Sequence, residues 1–283
     1  MPEATPILGV RDLVVEYPST GWRRPPKRVL HEVSLDIGRG EALGLVGESG
    51  SGKTTLGRAI LGLVPVADGE VTYQGEVISR ASAARRRQLA SELQVVFQDP
   101  YSSLNPAMTI GDILGEPLRA GGVSGGDARR RIRALLDDVQ LPADAADRYP
   151  SEFSGGQRQR IAIARALALS PKFIVCDEPV SALDLSTQAR VLDLLVDIQE
   201  RTDVSLLIIT HDLSVVRRSC HRVAVMHGGR IVEHGATGDV IEHPQDPYTR
   251  RLLLSAPVAD QAEQRRRRAA RRALERSDDV ERM

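Results

Sequence analysis

The sequence predicts an α/β fold: a mostly parallel sheet flanked by helices, with an antiparallel layer before it and a helical insertion within it. Three observations carry that prediction. A glycine-rich stretch, Gly47-Glu48-Ser49-Gly50-Ser51-Gly52-Lys53-Thr54-Thr55, lies between an apolar run and a helical pattern. A second apolar run, 173–176, ends in the adjacent carboxylates Asp177 and Glu178. After Pro171, short apolar runs alternate with amphipathic helical ones, as a parallel sheet requires.

In chain order, Ile7 to Tyr17 alternates as a strand, and Val33 to Ile37 and Glu70 to Tyr73 add two short ones to the antiparallel layer. TGWRRPPKR, residues 20–28, combines Gly, Pro and charge and is expected as a surface loop. Ala42 to Val46 reads as a buried strand, and Lys53 to about Leu63 as a helix. Residues 82–91 predict an exposed helix with a solvated basic face. Leu93 to Phe97 is a short strand ending at Gln98, followed by the turn-rich QDPYSSLNP. Helical periodicity then runs from Thr109 to about Tyr149, broken by the loop GGVSGG. Ser154-Gly155-Gly156 opens a long helix whose Ile161, Ile163, Ala164, Ala166 and Leu167 form an apolar face. Lys172 to Asp177 is a strand, Ser186 to Thr202 a helix and Ser205 to Thr210 a strand. Arg222 to Met226 and Arg230 to Glu233 are strands around His227-Gly228-Gly229. The domain is expected over 1–240, with a C-terminal segment at 241–258 and a charged tail at 259–283 that frays or is disordered.

Bulk properties exclude several classes. The 283 residues carry 38 basic and 38 acidic side chains, so no global charge draws the chain to nucleic acid. Cys176 reads as a buried apolar residue and Cys220 as an ordinary thiol, with no C-x-x-C pair for a metal site. The first residues lack a basic region followed by an apolar core, and no apolar run approaches the roughly 18 residues of a membrane span. A cytoplasmic protein is expected, with any membrane role borrowed from a partner.

The glycine-rich stretch matches the phosphate-binding pattern G-x-x-x-x-G-K-[ST] in the strand-to-helix setting it needs. Its glycines let backbone amides curl around an anion, and the helix start adds positive potential. Lys53 supplies a point charge for the β- and γ-phosphates, and the Thr54 hydroxyl can ligate Mg²⁺. A bound nucleoside triphosphate, ATP with Mg²⁺, is expected. Asp177 at the end of its strand would serve the metal shell, while Glu178 orients and deprotonates water. Ser154-Gly155-Gly156-Gln157, with a hydroxyl and amides at a helix start, offers a second anion site.

Placed between the phosphate loop and the Asp177-Glu178 strand, Ser154-Gly155-Gly156-Gln157 resembles the signature motif of ATP-binding cassette (ABC) ATPases, with Phe153 where the family usually has Leu. The resemblance assigns Tyr17 to adenine stacking, Gln98 to the Q-loop and the metal, Asp184 of Ser181-Ala182-Leu183-Asp184 to the D-loop, and His211 to the switch position. These motifs run in order from about residue 7 to 235. What the resemblance implies is a P-loop NTPase, RecA-like core with an N-terminal antiparallel β subdomain and a helical subdomain over about 99–154. It also implies a head-to-tail dimer, with ATP between the phosphate loop of one subunit and the signature motif of the other. Phosphate contacts would then include Glu48, Ser49, Gly50, Ser51 and Thr55, and Lys53, Glu178 and His211 would carry catalysis.

QDPYSSLNP and His243-Pro244-Gln245-Asp246-Pro247-Tyr248-Thr249 look like the oligopeptide/dipeptide importer branch, which nickel and glutathione importers resemble in the same features. The segment also reads as a proline-rich turn clipping the C-terminus onto the domain. The implied protein is the ATPase subunit of an ABC importer on the cytoplasmic membrane face. Its expected partners are a second ATPase, identical or different, two membrane permeases and an external substrate-binding protein. The alternatives are a soluble ABC protein of translation or DNA repair, which usually carries two cassettes or a long coiled coil, and a non-hydrolysing module. The presence of Lys53, Asp177, Glu178 and His211 disfavours the latter.

Overall fold

Two sheets organise the chain in the computed structural model, which describes residues 5–18 and 25–255. A four-stranded antiparallel sheet has the order β2-β1-β4-β5, formed by β1 (Leu8–Tyr17), β2 (Lys27–Ile37), β4 (Asp68–Tyr73) and β5 (Glu76–Val77). The second sheet joins β3 (Ala42–Val46), β6 (Leu93–Val96), β7 (Phe173–Asp177), β8 (Ser205–Thr210), β9 (Arg222–His227) and β10 (Arg230–Ala236), in the order β10-β9-β3-β8-β7-β6. Every pair in it is parallel except β9 with β10.

The parallel strands read as unbroken apolar runs because both of their faces are covered. Alternate residues divide between two cores: Phe173, Val175, Leu207 and Ile209 pack with Leu56, Ile60 and the antiparallel sheet. Ile174, Cys176, Leu206 and Ile208 face the other side, against Ile161, Ile163, Leu192 and Leu195. That period of two follows from the pleat. The first face is covered by α1 (Lys53–Ile60) and the second by α6 (Gly155–Ala166) and α7 (Leu185–Thr202). Two longer helices of the inserted region, α4 (Ile110–Ala120) and α5 (Gly125–Asp138), extend the second core through Leu114, Leu118, Leu135 and Leu136.

Several local expectations change in the folded chain. Lys27 and Arg28 are not loop but the start of β2, where Tyr17 pairs with Lys27 and Arg28 Nε bridges Glu16 at 3.1 Å. An edge strand leaves such charges in solvent, so they do not oppose extended structure. Residues 20–24 of the expected loop, and the whole 259–283 tail, lie outside the described residues. Gly125 and Gly126 belong to α5 rather than to a loop, because the Ser124 hydroxyl caps the helix by accepting the Asp127 amide. The basic helix α2 (Ala83–Leu89) is not fully solvated. Arg86 turns inward, donating to the Ile78 and Ile60 carbonyls, and burial lowers its pKa. Besides α3, described below, three helices have no counterpart among the sequence expectations: α8 (Leu213–Ser219), α9 (Thr237–Glu242) and α10 (Pro247–Ser255). The first two are too short to show a period, and Pro247 reads as a breaker although a first helical position tolerates it. The remaining short helix, α3 (Pro100–Ser103), follows Gln98 and is capped by Asp99, which accepts the Tyr101 amide at 2.8 Å.

Candidate functional site

Four parallel strands deliver the candidate residues to one edge. β3 ends in the phosphate loop, β6 leads to Gln98, β7 to Asp177 and Glu178, and β8 to His211. In an open α/β sheet, ligands are bound outside these carboxyl ends. The loop from Gly47 to Gly52 closes tightly against the turn after β9. A Cβ on Gly47 would lie 2.1 Å from the Met226 carbonyl oxygen, and the Gly229 amide donates to the Ser51 carbonyl at 3.0 Å. Gly50 (φ 81°) faces open space. Ser51 is buried, and its hydroxyl has no hydrogen-bond partner among the described residues. An orphaned buried hydroxyl in a glycine-rich cradle is what a phosphate oxygen satisfies. Lys53 Nζ folds back, donating to the Gly47 and Glu48 carbonyls at 2.7 and 2.9 Å. Burial lowers its pKa, against the opposing pull of Glu178, Asp177 and Glu48.

The two carboxylates behind the loop, adjacent in sequence, each anchor a hydrogen-bonded set. Thr54 Oγ1 donates to Asp177 Oδ1 at 3.0 Å. Gln98 Nε2 donates to Glu178 Oε2 at 3.1 Å, and His211 Nδ1 lies 3.2 Å from Glu178 Oε1. Burial raises the Asp177 pKa, which its Thr54 hydrogen bond only partly offsets. Glu178 adopts φ 46°, a left-handed backbone for a non-glycine residue, held by its amide donating to the Ile209 carbonyl at 2.9 Å. Such a conformation costs about 1–3 kcal/mol.

Thr54 and Asp177 present an all-oxygen pair of the kind that Mg²⁺ takes together with substrate phosphates. Among the described residues no group of three or more His, Cys, Asp and Glu could hold a metal alone. The pair fits Mg²⁺. When bound, it would supply charge neutralisation at the phosphates, and Gln98 keeps an amide oxygen as a further ligand.

Ser154, Gly155, Gly156, Gln157 and Asp184 stand apart from this cluster, and among the described residues no hydrogen bond links them to the phosphate loop. Ser154 and Gln157 close a capping box on α6: the Ser154 hydroxyl accepts the Gln157 amide, and Gln157 Oε1 accepts the Ser154 amide. The first-turn amides of Gly155 and Gly156 have no acceptor within the helix. A Cβ on Gly156 would sit 2.2 Å from Thr187 Cγ2, so glycine permits α6 to approach α7. Asp184 caps α7, accepting the Ser186 and Thr187 amides, and its carboxyl is held below the usual range chiefly by the Ser186 hydroxyl, which donates at 2.6 Å, then by the Thr187 side chain and those amides. Tyr17 ends β1, partly buried against the core that holds Leu56 and Met226. Thr55 follows Thr54 in the first turn of α1.

Three residues at the site escaped sequence reasoning. Arg158 of α6 lies over the Tyr101 ring at 4.4 Å, and Arg165 donates to the Ser103 carbonyl, joining the segment after Gln98 to the helix after Ser154. Their spacing of seven along one helix face was the available signal. Tyr248 of α10 accepts a hydrogen bond from the phosphate-loop amide of Glu48 at 2.9 Å, a contact that no sequence separation reveals.

Comparison with known proteins follows the same lines. Residues 30–181 match the family model "ABC transporter". The chain is 50% identical over 271 residues to the glutathione import ATP-binding protein GsiA of Salmonella choleraesuis, covering 94% of this chain and 44% of that protein. It is 49% identical to the same-named protein of Escherichia coli, over the same shares. The chain thus spans less than half the length of these relatives. Among solved structures, cbiO1 from Clostridium perfringens, part of the cbiONQ ABC transporter complex, superposes with a TM-score of 0.76 at 26% identity, over 84% of this chain and 91% of that one. An ATP-binding cassette dimer in a post-hydrolysis state with ADP and Pi gives 0.72 at 29% identity, over 81% and 98%. The phosphate loop, its carboxylate neighbours and the paired sheets therefore have one shared origin: the chain belongs to the ABC transporter ATP-binding family.

Proposed function

We propose that the chain hydrolyses ATP as the nucleotide-binding subunit of an importer of peptides, glutathione among them. The observation that carries the reading is the hydrogen-bonded set Thr54–Asp177 and Gln98–Glu178–His211 beside the Lys53 loop. Lys53 and the loop amides other than that of Glu48, which donates to Tyr248, bind the β- and γ-phosphates, with Thr54, Asp177 and Gln98 serving Mg²⁺. Glu178 orients the attacking water and takes its proton, and His211, in contact with Glu178, faces the γ-phosphate. Tyr17 stacks on adenine. Gly155, Gly156 and the hydroxyl of Ser154, with Gln157 and Asp184, complete the site of a second ATPase subunit, a role supported by the dimeric form of the related cassette.

Peptide and glutathione import are supported by different observations, the His243–Thr249 segment and the names of the relatives. Glutathione is itself a tripeptide, so both fall in one cargo class. Two permeases, a second ATPase and an external binding protein complete the assembly. Among the described residues no helix is long and apolar enough to cross a membrane, so the chain would dock peripherally on the cytoplasmic face. In this reading the cassette occupies 1–240, its helical part about 99–154, and 241–258 is an importer-type segment.

The test is uptake of labelled glutathione and of di- and tripeptides by cells lacking only this chain, together with Mg²⁺-dependent ATP hydrolysis by the purified protein. Loss of uptake with restoration by the intact chain is expected. Unaltered uptake of every peptide would reject the cargo class, and absence of ATP turnover even with the partner subunits would reject the activity.

A further inference from the structure

The C-terminal segment reaches the nucleotide site. Glu233 of β10 accepts the Gln245 and Asp246 amides at 2.8 and 3.1 Å, and Asp246 accepts the Tyr248 amide at 2.7 Å, which starts α10 at the sheet edge. Tyr248 and Leu252 then bury against Val46, Val225 and Val240. The Tyr248 ring stacks on His227 with centroids 4.0 Å apart and planes tilted by 30°. Its hydroxyl accepts the Glu48 amide at 2.9 Å.

That amide belongs to the peptide unit joining Gly47 to Glu48. The carbonyl of the same unit, Gly47 O, accepts Lys53 Nζ at 2.7 Å. One planar group is therefore held at both ends, by a phenol on one side and by the phosphate-binding ammonium on the other. Neither end can rotate without the other. We propose that Tyr248 is a positioning residue for the phosphate loop: by accepting the Glu48 amide it sets the peptide plane that aims the Lys53 ammonium. Tyr248 touches neither nucleotide nor reacting atoms, and acts through Gly47–Glu48 on Lys53. The inference rests on the reading that Lys53 faces the triphosphate. It gives the importer-type segment a second task beyond clipping the chain end, because α10 becomes part of the nucleotide site.

Tyr248→Phe isolates the hydroxyl, since the ring, its burial and its stacking on His227 are kept. ATP binding by calorimetry and the thermal midpoint of the nucleotide-free full chain are measured for wild type, Tyr248→Phe and Lys53→Ala. The loss of one hydrogen bond on a loop that must be pre-organised should weaken ATP binding about fivefold in Tyr248→Phe. The midpoint should move by less than about 2 °C, and kcat at saturating ATP by less than about twofold. Wild-type affinity in Tyr248→Phe overturns the proposal, as does a loss of affinity that only tracks a fallen midpoint. Lys53→Ala separates the two readings. Wild-type ATP affinity there would sink the assignment of Lys53 itself, whereas failure of Tyr248→Phe alone would leave that assignment standing. Hydrogen exchange of the Glu48 amide in the unaltered protein tests the tether without any substitution. Protection of about tenfold or more supports it, and exchange at the rate of an open loop overturns it.

Discussion

The phosphate loop and the Ser154–Gln157 turn are both glycine-rich helix starts, yet they face opposite fates. The first is surrounded: its ammonium donates to the loop's own carbonyls, Thr54 bonds Asp177, and Glu178 bonds Gln98 and His211, groups brought together from the ends of four strands. The second is exposed at Ser154 and satisfied by its own capping box, without help from the sheet. A site assembled at a sheet edge is preorganised within one chain. A site made by a helix start that points outward needs something else to close over it. In the proposed function, one half of the catalytic arrangement is built by folding and the other would be built by association.

The sharpest way to break that contrast is Glu178→Gln, which touches only the preorganised half. Because an amide cannot take a proton from water, ATP turnover should fall by about 10²–10⁴-fold while ATP binding is retained. Turnover at the wild-type rate would remove Glu178 from the base role and leave its strained φ without a catalytic explanation.

A smaller effect is expected from Ser154→Arg, which touches only the associating half. Hydrolysis should drop about tenfold or more while ATP affinity at the chain's own Lys53 stays within about twofold. If the dimer is of identical chains, mixing Ser154→Arg with Lys53→Ala chains restores one composite site and a corresponding share of activity. If the second ATPase differs, the two changes belong on opposite subunits. Dimers that form but recover nothing would argue that the turn serves no neighbour.

The mildest test sharpens the electrostatic side. Burial raises the Asp177 pKa, so the charged form is disfavoured in the folded protein. Stability is therefore lost as pH rises through the folded-state value, and regained as pH falls below the ordinary aspartate value of about 4. Asp177→Asn, which keeps an acceptor for Thr54, should raise the thermal midpoint of the nucleotide-free protein at pH 7. The gain should shrink toward about pH 4. ATP turnover should fall at the same time, since an amide is a poorer partner for Mg²⁺. A midpoint gain that is the same at both pH values would assign it to packing rather than to charge.

Sequence alone determined the alternating α/β architecture, because strands buried on both faces must be continuous apolar runs and a phosphate loop must join a strand to a helix. It also picked out Lys53 and Thr54 through the phosphate-loop pattern and Asp177 and Glu178 at the end of a legible strand, whereas Gln98 and His211 came from the resemblance to ABC ATPases. Local chemistry was enough for the first four. Tertiary structure alone decided what the loops and short helices do. Arg86 reads as a solvated charge until the carbonyls of Ile60 and Ile78 are brought to it. Arg158 and Arg165 gain a role only when the segment after Gln98 packs against them. Tyr248 reads as part of a proline-rich turn, and its hydroxyl meets the Glu48 amide 200 positions away only because β9 and β10 carry the chain back beside β3. The physical reason is one of range: periodicity and motif spacing report forces between near neighbours in the chain. A hydrogen bond between distant segments has its partner set by the sheet order, which no local pattern encodes.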